Sequence, residues 1–432
     1  MIYWKRKLIT IMRTCRLLSV LTLLTFFGAI GVSAQEVNIQ TLLQKAESGD
    51  VDAMFNLGYM YYKGEEITQN YPEAIKWLRN AGEQGHLKAM HYLGIIYESG
   101  RGTPVDYKES AKWYEKAAEK GDDFAMFKIG AMYHMGRGVE KNIQESIRWY
   151  EKAADMGDFD SMRNLGDMYY RGDGVSQDYQ EALKWYERAA KNNFISIMFK
   201  VGWMYYKGEG SAQNLPEALK WFNKAAGYGD AEAMTIIGYM YHFGEGVPQD
   251  YSEAKKWYQK AAEKGNALAM YNLGIMFHRG EGFAQDNSEA LKWMEKSAEK
   301  TNLFALELLG RIHYENGEEW GVEQDYKKAF EYFQKASKKG SNFALGFIGE
   351  MYLKGLYVDK DLNKAFRLLK QSAENEKEPN PTAMRRLSAC YRYGYGTAKN
   401  PAKEEYWLNK AAEYGDEMAI GLVKLSDSIS RF

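Results

Sequence analysis

The chain has 432 residues, 45% of them hydrophobic and 15% aromatic, which is ample apolar material for a packed core and excludes a disordered chain. Its 57 basic and 58 acidic residues leave a net charge of −1. A chain without net positive charge is a poor nucleic-acid binder, so no nucleic-acid partner is expected.

The first 34 residues differ from the rest. Lys5, Arg6, Lys7, Arg13 and Arg16 precede an apolar run over residues 17–30, and Val32, Ser33 and Ala34 follow as small residues suited to cleavage. This is the three-part layout of a secretory signal peptide, and cleavage is expected after Ala34. The apolar run is shorter than the roughly 20 residues a membrane span needs. Removing residues 1–34 takes away five basic residues and no acidic ones, which leaves 52 and 58, a net charge of −6. Of the two cysteines, Cys15 falls in this leader and Cys390 remains alone, so an exported chain has no internal disulfide to form. No second apolar stretch approaches membrane-spanning length, so a periplasmic or secreted location without an integral membrane segment is expected.

From residue 50 onward the chain repeats. Gly58, Gly94, Gly130, Gly166, Gly202, Gly238, Gly274 and Gly310 are spaced by 36 residues, as are Trp77, Trp113, Trp149, Trp185, Trp221, Trp257 and Trp293. Such periodicity marks a stacked-repeat architecture. The spacing predicts a capping helix over 35–49 and ten repeats over 50–85, 86–121, 122–157, 158–193, 194–229, 230–265, 266–301, 302–340, 341–379 and 380–415. A closing helix over 416–432 follows. Each repeat reads as two apolar-periodic helices closed by glycine, so the fold class is all-α, a right-handed α/α solenoid of helical hairpins.

The second helix of every repeat starts at one column of Asp or Asn: Asn70, Asp106, Asn142, Asp178, Asn214, Asp250, Asp286, Asp325, Asp361 and Asn400. These side chains are expected to cap the helix. Glu73, Glu109, Glu145, Glu181, Glu217, Glu253 and Glu289, three residues on, complete a capping-box pattern. Alanines at Ala53, Ala89, Ala125, Ala233 and Ala269 and at Ala81, Ala117, Ala153, Ala189, Ala225 and Ala261 allow close helix packing. Tyr61, Tyr97, Tyr133, Tyr169, Tyr205 and Tyr241 read as core, facing the second helix.

The pattern AMxxLGxMYxxGxG, an Asp/Asn-Tyr turn and then EAxKWYxKAAxxG resembles the Sel-one-like repeat, a relative of the tetratricopeptide repeat, over about residues 40–430. The resemblance implies an adaptor that assembles protein complexes, in the bacterial envelope or the endoplasmic reticulum lumen, with some members in exopolysaccharide systems. A cysteine-rich branch is linked to penicillin binding and hydrolysis. This chain lacks the paired cysteines of that branch, which leaves a β-lactamase-like hydrolase as a remote alternative.

No catalytic signature is present. His134, His242 and His278 share one column, but neighbouring repeats lie too far apart for easy shared ligation, so neither metal nor cofactor is expected. What remains is a stripe at the positions of Phe55, Tyr59 and Tyr62, spaced i, i+4, i+7. In the resembled superfamily it lines the concave groove. It holds Phe55, Tyr59, Tyr62, Phe127, Tyr170, Phe199, Trp203, Tyr206, Tyr239, His242, Phe243, Tyr271 and His278, which we read as a groove for a protein or peptide partner, with a polysaccharide as the alternative ligand. Phe199 to His278 read as one contiguous aromatic patch. From repeat 8 the stripe turns charged, with Glu307, Arg311, Glu315, Glu350, Lys354, Arg385 and Arg392. Glu318, Glu319 and Trp320 lengthen one loop, and residues 375–381 lengthen the joint before repeat 10; either is expected to bend the solenoid or carry a contact.

Overall fold

The computed structural model describes residues 34–191 and 194–429, so the expected leader and its cleavage site lie almost entirely outside the described residues. Among those residues are 22 α-helices and one short 3-10 turn, and no strand. Two compact units divide the chain, residues up to Ile197 and residues from Met198. Within each, successive helices pack against one another in chain order, which is how a solenoid of hairpins is built. None of these helices is long and apolar enough to cross a membrane.

The hairpin closes because the first helix has no Cβ at its centre. A Cβ on Gly94 would lie 2.5 Å from the Tyr114 ring, one on Gly166 2.5 Å from Tyr186, and one on Gly238 2.7 Å from Tyr258. Alanine would gain about 0.5–1 kcal/mol of helix propensity there and lose about 1–3 kcal/mol to overpacking, so glycine wins. The aromatic residue it admits, from the column of Tyr114, Tyr186, Phe222 and Tyr258, is fully buried. The alanine columns are buried as expected.

The core of the first helix differs from the sequence reading by one residue. Ile96, Met132, Met168, Met204, Met240 and Met276 are buried, whereas in the adjoining tyrosine column only Tyr97 is. Tyrosine is amphipathic, and its hydroxyl must stay with a polar partner. Tyr133 donates to Glu115, and Tyr97 accepts from Arg79, both on the second helix of the preceding repeat. The column therefore joins repeats at their half-exposed rim.

All ten Asp/Asn residues accept a hydrogen bond from the first turn of their helix, as the Asp250 carboxylate does from the Glu253 amide at 3.0 Å. The reciprocal half of the capping box is not made. The amide of the cap residue already donates to the carbonyl of the tyrosine column, Asn70 to Tyr61 and Asp250 to Tyr241 at 2.9 Å each. The glutamate is thereby released to pair with a base three residues on, as Glu73 does with Lys76 and Glu253 with Lys256. Asp250→Ala should then cost about 0.5–2 kcal/mol and leave partner binding unchanged; lost binding at an unchanged melting temperature would show that the column recognises something.

A second capping column begins the first helices, where Asp50, Asp122, Asp158, Asp230, Asn266 and Asn302 accept in the same way.

Candidate functional site

In the first unit the stripe is largely consumed by packing. Phe55 stacks on His86 with centroids 4.4 Å apart, and Tyr59 and Tyr62 lie 5.1 and 5.4 Å from Tyr92, a ring of the next repeat that the stripe pattern does not include. Burial and a hydrogen bond with Tyr59 push the Tyr92 hydroxyl up to about 12. Tyr62 is buried, and its hydroxyl accepts from Arg101 at 2.6 Å. Phe127 lies 6.0 Å from Tyr150 and, with Ala131, Asp167 and Arg171, lines a cavity of about 330 Å³. Tyr170 rests on Tyr179, 5.1 Å away.

In the second unit the stripe is likewise buried or partly buried, except for Phe243, which is exposed. Phe199, Trp203 and Tyr206 form a run of three near-parallel rings on one helix, with centroids 6.2 and 5.4 Å apart and planes 16° and 18° apart. Each is half-buried, and the Lys207 ammonium stands 5.0 Å over the indole. Phe199 and Tyr206 also touch the buried Phe222, which fixes the two outer rings and leaves Trp203 between them. On the next repeat Tyr239 and Phe243 pack 4.5 Å apart, with Phe243 52% exposed. On the one after, Tyr271 lies 5.8 Å from Phe304.

The histidines are committed to the fold. In four repeats the side chain at the Tyr62 column reaches the residue between the two glycines of the following loop, 39 positions on. Tyr62 meets Arg101, His134 meets Asp173 at 3.2 Å, Tyr206 meets Glu245 and His242 meets Glu281 at 2.8 Å. His278 obeys the same rule across the lengthened loop. Its ring stacks on Trp320 at 3.6 Å, while its Nδ1 meets Asn287 at 2.9 Å. The extra loop residues thus carry a contact, and Trp320 is buried in it. This clasp was legible in principle, as complementary residue pairs recurring at a spacing of 39. Among the described residues no group of three or more His, Cys, Asp or Glu side chains is placed to hold a metal ion.

His242 is 5% exposed, and its neutral Nε2–H tautomer suits both neighbours, donating to Glu281 while Nδ1 faces the Tyr258 hydroxyl at 3.5 Å. Burial holds its pKa below the ordinary value, with Glu281 opposing and Arg279 reinforcing the shift. A group with a depressed folded-state pKa stabilises fully above its unfolded pKa, about 6.5, and loses that contribution as pH falls below it. His242→Gln should therefore flatten the decline of melting temperature between pH 7.5 and 5.5; an unchanged slope would place the sensitivity elsewhere.

At the charged end of the stripe Arg311, Glu315, Lys354 and Arg392 are exposed, whereas Glu350 is folded inward. Glu350 is 5% exposed and pairs with Lys354 at 2.7 Å and with Arg386, whose guanidinium lies 5.0 Å from the centroid of the Phe347 ring. Arg385 is bound to Asp416 at 2.8 Å. Residues 375–381 bring Asn380 into a buried network, in which its amide donates to the Asn342 carbonyl and the Ser372 hydroxyl.

A family model for the Sel1 repeat matches ten segments: 51–86, 87–122, 123–158, 159–194, 197–227, 231–266, 267–302, 303–341, 341–376 and 381–416. The chain belongs to the Sel1 repeat family. Sel1 repeat proteins of known structure share its architecture. A protective antigen present in uropathogenic Escherichia coli strains, with this repeat fold, is 31% identical over 91% of each chain with a TM-score of 0.55. A Sel1 repeat protein from Oxalobacter formigenes is 30% identical over 72% of this chain and 89% of its own, with a TM-score of 0.60. The secretory immunoglobulin A-binding protein EsiB of Escherichia coli is 47% identical over 45 residues, which span 10% of this chain and 9% of that protein. Sel1 repeats serve generally as scaffolds for protein interaction.

Proposed function

We propose that this Sel1 repeat protein is a non-enzymatic scaffold that is exported to the cell envelope or beyond and holds a protein partner on the first-helix face of its second unit. The observation that carries this reading is Trp203. Its column is Ile95, Ala131 and Ile275 in other repeats, so packing does not demand an indole there. The ring is only partly buried between Phe199 and Tyr206 on a helix, the setting in which a few aromatic side chains supply most of an interface's energy. Cys390 adds nothing nucleophilic, since burial pushes its thiol up to about 11, far from thiolate at neutral pH.

The test is a pulldown with the chain from envelope extract, run beside a polysaccharide array and immobilised secretory immunoglobulin A, the last suggested by the short match to EsiB. A protein captured by the wild type and lost with Trp203→Ala supports the scaffold. A glycan captured in its place would favour the alternative ligand, which the near-parallel rings of Trp203 and Tyr206 could also stack against. Export is checked by N-terminal sequencing from the native host, where Gln35 is the expected first residue and Met1 would refute cleavage.

A further inference from the structure

The second unit also carries a notch, formed by repeats 7 to 9, in which one aromatic ring stands well exposed. Tyr271, Phe304, Glu307, Leu308, Arg311 and Phe343 line a cavity of about 240 Å³ across three successive repeats. Phe304 is 58% exposed, in a column that holds Asp52, Lys88, Asp160 and Glu232 in some repeats and Phe124, Leu268 and Phe343 in others. Phe304 is more exposed than Phe124 at 37% or Leu268 at 40%, and with Tyr271 and Phe343 it makes an apolar patch of the kind that marks contact sites. Tyr271 and Phe304 are tilted 39° to each other, so they form a cleft for one side chain, not a flat platform for a sugar ring.

The charges of the notch are unequal in their commitments. Glu307, the one carboxylate in the lining, accepts from the Ser341 hydroxyl at 2.6 Å. Arg311 has a looser tie, to Glu315 at 4.0 Å, with the two side chains 51% and 56% exposed, and such surface pairs contribute little. Arg279, whose charge also reaches Tyr271, is 59% exposed and shares Glu281 at 3.5 Å with the His242 clasp. Arg311 and Arg279 are thus left outward while Glu307 and Glu281 are held, and Glu315 is tied to Arg311 only loosely.

We propose that this notch is an anchor for an acidic side chain, aspartate or glutamate, of a protein partner. The carboxylate would meet Arg311, whose planar guanidinium suits two-point recognition, and an apolar residue beside it would cover Phe304. The inference rests on the scaffold reading and names the chemistry of its partner.

The test uses the full chain and three soluble probes: a random glutamate–tyrosine copolymer, the matching lysine–tyrosine copolymer and polygalacturonate. The glutamate–tyrosine copolymer should bind, the lysine–tyrosine copolymer should not, and binding should weaken as salt rises. Arg311→Glu should weaken it about tenfold or more, and Phe304→Ala should weaken it while Phe304→Trp retains it. Because both residues are more than half exposed, melting temperatures should stay within a few degrees of wild type. Binding to Arg311→Glu within about twofold of wild type, absence of copolymer binding, or polygalacturonate binding with the stronger dependence on Arg311 would each overturn the inference. If partner capture depends on Trp203 but is indifferent to Arg311→Glu, the notch fails and the scaffold stands.

Discussion

Trp203→Ala is expected to weaken partner binding by about 2 kcal/mol or more, roughly thirtyfold, while costing the fold less than the about 3–5 kcal/mol of a fully buried tryptophan. The two costs separate because the ring is not fully buried and its neighbours are anchored independently of it. Phe199 and Tyr206 rest on the buried Phe222, and Tyr206 is also tied to Glu245. Measuring melting and affinity on the same preparation decides the matter. A large fall in melting temperature with affinity per folded molecule retained would make Trp203 structural and remove it from the site.

Glu350→Ala is expected to destabilise the chain by about 3–5 kcal/mol, the largest effect of any single carboxylate considered above. Both members of the pair are out of water, with side chains 7% and 13% exposed, so removing Glu350 leaves the Arg386 guanidinium buried without its counter-charge. Burial already lowers the pKa of Arg386, and the Glu350 charge is the largest influence opposing it. The double variant Glu350→Leu with Arg386→Met should recover most of that loss, because a buried ion pair contributes little over well-packed apolar residues of similar volume. Denaturant unfolding of the single and double variants gives the coupling. A single variant within about 1 kcal/mol of wild type would show that water or Lys354 compensates the exposed charge.

The amino-acid sequence by itself determined what depends on short range. The 36-residue period, the paired helices and the ten Asp/Asn caps follow from glycine, alanine and cap residues that act on their own helix or hairpin, so their columns could be read without coordinates. Tertiary packing decided which side of each helix those columns face. One position on a helix turns the side chain by about 100°, enough to move the tyrosines from the core to the rim and to put Met132, Met168 and Met204 in their place. The capping glutamates turned to lysine because a carbonyl in the other helix had already taken the cap's amide. Within the stripe, Tyr62 and His242 were drawn inward by partners 39 residues away, and His278 was covered by Trp320, while Trp203 and Phe243 stayed accessible. Periodicity shows which residues are equivalent. Only the neighbouring repeat determines which of them it buries, because each apolar face is satisfied by a surface that its own repeat does not contain.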